Sequence, residues 1–184
     1  HRFNSLYMKR FTFLFLFIST IAIAQDSLDS LKSDSLVVLM IDMPSYSIDL
    51  PNTWKISPGC LEMQCTGVSP TDTIGGYDTY LESINLTINK LSSASYTAQK
   101  YANYSAGYLP KVVSQFRVLD KTKLSASSYR LTYTGVKNNL RQVWRQYYHV
   151  KNAQVYIVTF SAEQKKYRFY KDMIEPYLAS FKFK

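Results

Sequence analysis

Four side chains that can bind anions or transfer protons alternate along residues 141–151. They are Arg141, Arg145, Tyr147 and His149. Because successive side chains of a β-strand point to opposite faces, these four would share one face of a strand. Guanidinium groups bind carboxylate or phosphate with bidentate geometry, and we therefore predict an anion- or partner-binding strip on this strand. The competing interpretation is a solvated sheet face that carries cross-strand pairs.

The chain lacks the sequence patterns of common enzyme classes. Nucleophilic catalysis places a base beside the nucleophile, but His149 is the only histidine after residue 1. No Gly-x-Ser-x-Gly elbow, phosphate-binding loop or dinucleotide-binding glycine loop is present. Asp72 and Asp78 flank Gly75-Gly76 without the spacing of an EF-hand, which favours a polar turn. We predict a non-catalytic protein without a cofactor.

Cys60 and Cys65 are the only cysteines of the chain. An even number of cysteines in an oxidising compartment allows a disulfide. Pro58-Gly59 supplies a bend nearby, and such a bend is needed to bring the two residues within bridging distance. We predict a disulfide between them, with two buried free thiols as the alternative. A structural zinc needs four ligands, which this pair and one histidine cannot supply, so no metal site is predicted.

The first 24 residues have the layout of a secretory signal peptide. Met8-Lys9-Arg10 is a basic start, residues 11–23 form an apolar run, and Ala22-Ile23-Ala24 is a small-residue cleavage site. The run has about 13 residues, whereas a membrane span needs ~20, so we predict no transmembrane span in the mature form. Residues 1–7 are interpreted as an upstream extension. We predict cleavage after Ala24 and a periplasmic or secreted protein.

Charge is distributed unevenly along the chain. Residues 25–82 carry nine acids and two bases, whereas residues 83–184 carry four acids and seventeen bases. This asymmetry predicts a dipolar surface that can orient an anionic partner, and the alternative is a set of solvated basic faces. Nucleic acid is not the expected partner, because the chain is predicted to be exported and contains no recognition motif.

The periodicity of apolar residues predicts one α+β domain over residues 43–184, and residues 25–42 are interpreted as a linker or a short edge element. Alternating apolar residues predict strands at about 46–50, 82–90, 117–125, 128–136, 141–151 and 154–162. One helix, capped by Ser95, is predicted to run to about Gln115, with a kink near Gly107 and Pro110 or an end at Tyr108. A second helix is predicted over residues 164–180. Asn138-Asn139 and Lys151-Asn152-Ala153 lie where hairpin turns are expected, and such short connections make the last four strands antiparallel neighbours.

Each predicted helix carries an apolar stripe that would face the sheet. The stripe of the first helix consists of Tyr101, Tyr104, Tyr108, Leu109, Val112 and Phe116. The stripe of the second consists of Tyr167, Tyr170, Ile174, Tyr177, Leu178 and Phe181. Four basic residues of the second helix are predicted to lie largely away from its stripe, namely Lys165, Lys166, Arg168 and Lys171.

Four segments of the predicted domain carry a further pattern. They are Tyr46-Ser-Ile-Asp-Leu-Pro-Asn-Thr-Trp54, Ser95-Tyr-Thr-Ala-Gln-Lys-Tyr101, Val155-Tyr-Ile-Val-Thr-Phe-Ser-Ala162 and the terminal helix from Tyr170 to Phe181. They resemble the PsbP-like family of PsbP, Mog and DcrB-type proteins, over residues 45–183. The resemblance implies an antiparallel sheet of about six strands packed with two main helices. It also implies mainly non-enzymatic adaptor or assembly roles, and no set of catalytic residues.

The sequence therefore predicts an exported, non-catalytic domain that binds a protein or an anionic envelope component. The predicted contact surface is the basic, tyrosine-rich sheet face that carries Arg141, Arg145, Tyr147 and His149. The alternative is a carrier that holds a lipid or another small amphiphile between the central helix and the sheet, where Gly107 and Pro110 interrupt the helix.

Overall fold

The structure is a computed structural model that describes residues 39–56, 65–68 and 80–184. The predicted signal peptide, its cleavage site and the predicted linker as far as residue 38 lie outside the described residues. Cys60 also lies outside them, and of Cys65 only the backbone is described. The disulfide between these two cysteines therefore stays a prediction.

The described chain contains two α-helices and ten β-strands. The strands are β1 (Leu39–Asp42), β2 (Tyr46–Leu50), β3 (Lys55–Ile56), β4 (Cys65–Val68), β5 (Ser83–Lys90), β6 (Ser114–Lys123), β7 (Ser128–Lys137), β8 (Leu140–Lys151), β9 (Gln154–Glu163) and β10 (Lys182–Phe183). The helices are α1 (Ala98–Tyr108) and α2 (Gln164–Ala179). A single 3₁₀ turn over Leu109–Lys111 follows α1.

Seven of the described strands form the main sheet, in the order β3-β4-β5-β9-β8-β7-β6, and β1, β2 and β10 form a small second sheet. All the strand pairs are antiparallel. The predicted α+β class and the antiparallel sheet with two main helices are confirmed. The main sheet has seven strands where about six were predicted.

Two short hairpin turns set the register of β7, β8 and β9. Asn138 and Asn139 connect β7 to β8 with φ values of 51° and 61°. Asn152 and Ala153 connect β8 to β9 with φ values of 52° and 55°. Two-residue turns with positive φ match the twist of the strands they join, and asparagine tolerates this conformation better than most residues. Both turns lie where the sequence predicts them.

Helix α1 begins two residues later than predicted. The side chain of Thr97 accepts a hydrogen bond from the backbone N–H of Lys100 at 3.1 Å and caps the helix. Ser95 does not cap it, because its hydroxyl and its backbone N–H both contact the hydroxyl of Ser93. The helix ends at Tyr108, which is one of the two outcomes predicted from Pro110, and it does not continue to about Gln115. Tyr104 of the predicted stripe is exposed.

The two helices cover opposite faces of the main sheet. On the α1 face the buried side chains are mostly aromatic or aliphatic, including Tyr101, Leu109, Leu131, Tyr133, Trp144, Tyr148 and Ile157. On the opposite face, α2 and the small sheet enclose a second core that includes Tyr46, Leu50, Trp54, Tyr147, Phe160, Ile174, Leu178 and Phe181. Tyr46, Ile48 and Leu50, the alternating apolar residues of the strand predicted at 46–50, therefore share a buried face.

Most of the predicted stripe of α2 faces the core, but one basic residue departs from the prediction. Ile174 and Leu178 are fully buried. Lys166, which was predicted to lie away from the stripe, is only 4% exposed. It precedes Tyr170 by four residues, and side chains at that spacing share one side of a helix. Lys166 therefore lies on the flank of the buried stripe and not on the solvent side.

Candidate functional site

The four predicted site residues share a face of β8, as their alternation predicts, but they do not form one exposed row. Arg141 is exposed, whereas Arg145 is half-buried. Tyr147 and His149 are 2% and 9% exposed. Their face is the one that α2 and the small sheet cover, so only the first residue of the row is freely accessible to a partner.

Arg145 and Tyr147 belong to a cluster of charges centred on Glu175 of α2. The hydroxyl of Tyr147 donates to Oε1 of Glu175, and Nη1 of Arg145 donates to Oε2. Nη1 of Arg130, on the neighbouring strand β7, donates to the same Oε1 at 3.2 Å. One carboxylate of the helix thus receives three hydrogen bonds from two strands of the sheet.

A second carboxylate completes this cluster on strand β6. Oδ2 of Asp120 accepts a hydrogen bond from Nε of Arg130 at 3.0 Å. The hydroxyl of Thr122 accepts from Nη2 of Arg130 at 3.2 Å and donates to Asp120 at 2.9 Å. Two guanidinium groups therefore meet two carboxylates. We call Asp120, Arg130, Arg145, Tyr147 and Glu175 the Glu175 cluster.

The Glu175 cluster holds α2 on the sheet. Burial, together with the hydrogen bond to Glu175, raises the pKa of Tyr147 to about 12, so its hydroxyl remains a donor at neutral pH. The guanidinium of Arg145 also lies over the ring of Tyr167, 5.6 Å from its centroid. Because Arg145 and Tyr147 are already bound to α2, their first role is to fix the position of that helix.

His149 is part of the core and not of a charged surface. Its ring stacks on Phe181 with a centroid distance of 4.5 Å, and its Nδ1 lies 2.8 Å from the hydroxyl of Ser128. Burial lowers the pKa of His149 to about 4. The imidazole is therefore neutral near pH 7 and contributes no positive charge to the sheet face.

Arg141 lies instead in an open depression of about 550 Å³ at the start of α2. Residues from the two strand ends and the helix line it, namely Arg141, Glu163, Gln164, Lys165 and Arg168. Arg141 donates to the side-chain oxygen of Gln115 at the start of β6. Lys165 pairs with Glu163 at 3.0 Å but remains 68% exposed. Three cations surround this depression, namely Arg141, Lys165 and Arg168. We call the depression with these three side chains the basic depression.

Sequence reasoning missed Lys165 and Arg168 as partners of Arg141. A signal was present, because residues three apart on a helix are neighbours and both were predicted to face away from the core. What the sequence pattern did not reveal is the pairing of Gln142 with Glu163. This pairing places the end of β9, and hence the start of α2, beside Arg141 at the start of β8.

The space between α1 and the sheet, which the carrier alternative requires, is filled by side chains. The ring of Tyr101 lies 5.9 Å from that of Tyr148, and Tyr133 stacks on Trp144 at 5.2 Å. The hydroxyl of Tyr101 accepts a hydrogen bond from the side chain of Asn89 at 3.1 Å. In the described part of the chain, no observation favours a bound amphiphile at this interface.

Within residues 39–56, 65–68 and 80–184, no helix is long and apolar enough to cross a bilayer. The same residues contain no group of three or more histidine, cysteine, aspartate or glutamate side chains placed to hold a metal ion.

No family model and no curated protein matches the chain. Solved structures do match it. LpqN of Mycobacterium tuberculosis, described as involved in cell envelope biogenesis, matches with a TM-score of 0.58 and 14% identity, over 79% of this chain and 90% of LpqN. The solution structure of CyanoP, the PsbP of Synechocystis sp. PCC 6803, matches with a TM-score of 0.57 and 12% identity, over 85% of this chain and 99% of CyanoP.

A third structure, the protein of unknown function PA94 from Pseudomonas aeruginosa, matches with a TM-score of 0.54 and 10% identity, over 76% of this chain and 92% of PA94. These matches show that the chain has a PsbP-like fold, as the four sequence segments predict. At such low identities the likeness concerns the fold alone, because one fold can carry unrelated functions.

Proposed function

We propose that this chain is an exported, non-catalytic binding domain that contacts a protein or an anionic envelope component through the basic depression. The observation that carries the proposal is the convergence of three cations, Arg141, Lys165 and Arg168, on one open surface. The single carboxylate that lines it, Glu163, is paired with Lys165. The surface is therefore positive, and it attracts an anionic partner before contact is made.

The start of α2 adds to this attraction. The first backbone N–H groups of a helix have no partner within the helix, and the helix dipole makes that end positive. Helix α2 has no acidic residue in its first turn and no side-chain cap from Glu163; the buried carboxylate of Glu82 accepts a hydrogen bond from the backbone N–H of Glu163, just before the helix, at 3.3 Å. The partial positive charges of the backbone N–H groups at the start of α2 therefore add to the positive charges of Arg141, Lys165 and Arg168.

The other three predicted site residues have a supporting role in this proposal. Arg145 and Tyr147 bind Glu175 and so hold α2 at a fixed distance from Arg141. His149 packs against Phe181 in the core beneath. We propose that Arg141 contacts the partner and that Arg145, Tyr147 and His149 act through the position of the helix.

Two observations support a place of action outside the cytoplasm. Residues 8–24 have the pattern of a signal peptide. LpqN, a protein of similar fold, is described as involved in cell envelope biogenesis. Neither observation depends on the binding surface, so export and binding can be tested separately.

The double variant Arg141→Glu with Arg168→Glu tests the surface. Chemical crosslinking in intact cells, followed by quantification of the adducts, should show at least a roughly tenfold loss relative to the parent chain, because two attractive charges become repulsive. The matched control is Lys90→Glu with Lys123→Glu, two exposed lysines at the opposite end of the main sheet. Circular dichroism checks that both variants are folded.

The control should lose no more than about twofold, the change expected from a general shift in net charge. Adducts that persist in the Arg141 and Arg168 variant would exclude the basic depression as the contact surface. An equal loss in both variants would show that net charge, and not this surface, governs binding.

A further inference from the structure

Large apolar side chains are exposed directly beside the basic depression. Phe169 and Met173 of α2 are 51% and 46% exposed. The guanidinium of Arg168 lies over the ring of Phe169, 4.7 Å from its centroid. Leu81, which is 48% exposed, precedes β5 at the same end of the sheet, because Ser83 pairs with Ser161 near the end of β9. The contact of Arg168 with Phe169 therefore joins the cationic and the apolar groups on this side of α2.

The spacing along α2 arranges these groups in a row. Lys165, Phe169 and Met173 are four residues apart and lie one above the other on the exposed side of the helix. Arg168 lies beside this row and Arg141 across the depression. Helices that lie in the interface of a membrane combine lysine or arginine with exposed phenylalanine or other large apolar residues in the same way.

We propose that this surface docks the domain onto an anionic lipid bilayer. Arg141, Lys165 and Arg168 bind lipid phosphates, and Phe169 and Met173 enter the headgroup region. We call these five residues the docking patch. The inference rests on the proposed function, because it names the partner of the same basic depression.

The shape and charge of the docking patch favour a bilayer over a protein groove. The row lies on the outer side of a helix, so it presents a convex edge that a planar surface can meet along its length. Three acids occur in this region: Glu163 is paired with Lys165, Glu82 is buried beneath the start of α2, and Asp172 is exposed. Lys171, also exposed, offsets Asp172, so the region keeps a net positive charge that an anionic leaflet attracts.

The test is sedimentation of the exported protein, purified from its own envelope, with vesicles of phosphatidylcholine alone or with phosphatidylglycerol added. The parent chain should bind only the anionic vesicles, and salt should weaken the binding. Arg141→Glu with Arg168→Glu should weaken binding at least about tenfold, since each basic group near an anionic surface contributes to the affinity. Phe169→Ser with Met173→Ser should weaken it by a similar factor, because the apolar contact is lost.

Two matched controls accompany these variants. Lys90→Glu with Lys123→Glu repeats the charge change at the other end of the sheet. Tyr104→Ser with Leu124→Ser removes two side chains that are similarly exposed but lie away from α2. Both controls should bind within about twofold of the parent chain, since neither removes a group of the docking patch.

Any of the following results would overturn the inference. Absence of binding to anionic vesicles, equal binding to both kinds of vesicle, or equal losses in the controls would exclude docking through this patch. If vesicle binding fails while the Arg141 and Arg168 variant still loses its crosslinks to a protein in cells, the partner is a protein and the proposed function stands. If neither vesicle binding nor crosslinking depends on these residues, both proposals fail.

Discussion

The two faces of the main sheet are covered by helices that are held in different ways. On the α1 face, rings pack against rings, and the polar contacts join neutral groups, such as Asn89 with Tyr101 and the chain from Tyr148 through Gln146 to Thr159. On the α2 face, an apolar core lies beside a cluster in which Glu175 receives hydrogen bonds from three side chains of two strands. Apolar packing has no preferred direction, whereas charged hydrogen bonds do. The helix that borders the basic depression is thus the one held by a cluster of charged hydrogen bonds as well as by apolar packing.

Truncation of one large ring on each face should have the largest effect. Phe160 on the α2 face is fully buried, and Trp144 on the α1 face is 5% exposed. Phe160→Ala and Trp144→Ala should each lower the free energy of unfolding by about 3–5 kcal/mol, because each leaves a cavity in a packed core. Urea unfolding followed by both circular dichroism and fluorescence measures this loss. If the two probes diverge in one variant, the faces are separate cooperative units.

Acid should weaken the α2 face through His149. Its pKa in the folded state is lowered to about 4 by burial, and an unfolded histidine has a pKa of about 6.5. Between these values the unfolded chain binds a proton that the folded chain does not, so stability falls as the pH falls. From pH 6.5 to pH 5 the loss should be about 2 kcal/mol.

Urea unfolding at several pH values measures this loss, with His149→Phe as the matched variant. The phenylalanine ring can still stack on Phe181, but it does not titrate. Stability of this variant should therefore change little over the same pH range. A variant that keeps the full pH dependence would place the responsible group elsewhere.

The polar contacts of the two faces should differ in how far they depend on one another. Glu175→Gln should cost about 1–2 kcal/mol, because the carboxylate is partly solvated but accepts from two guanidinium groups. Combined with Arg145→Met it should show a coupling of at least ~0.5 kcal/mol, since the two side chains are in contact. Tyr101→Phe, on the α1 face, should cost about 1 kcal/mol and add independently to Arg145→Met.

Double-mutant cycles from urea unfolding give both coupling energies. If the effects of Glu175→Gln and Arg145→Met on stability add without coupling, the Glu175 cluster does not hold α2. Coupling between Tyr101 and Arg145 of the same size would remove the difference between the faces, because these residues lie on opposite sides of the sheet.

The sequence predicted those parts of the fold that depend on neighbouring residues. Asn138-Asn139 and Lys151-Asn152-Ala153 indicated the turns, and alternation indicated which side chains of β8 share a face. Pro110 indicated that α1 would kink or end near Tyr108, because proline disturbs the helix turn before it, but it did not decide between the two. Its start was predicted wrongly, because Ser95 and Thr97 are both capping residues and only the contact of Ser95 with Ser93 decides between them.

Local sequence patterns could not predict that most of the candidate site is buried. Arginine, tyrosine and histidine on one strand face are typical of a solvated surface, yet this face is covered by a helix whose Glu175 lies 30 residues from Arg145. The carboxylate that pairs with these arginines is visible in the sequence, but its position above them depends on how α2 packs. Of the four predicted site residues, only Arg141, at the end of the strand, is not covered by α2 or the small sheet.

The order in which the strands pair has a consequence for biosynthesis. β5 pairs with β9, and Ser83 and Ser161 of that pair are separated by 78 positions. β2 pairs with β1 and with β10, the last of the described strands. The amino-terminal strands can therefore pair among themselves, but they cannot join the rest of the two sheets until β9 and β10 have been made. Translocation of an unfolded polypeptide would meet no completed sheet that must first be pulled apart.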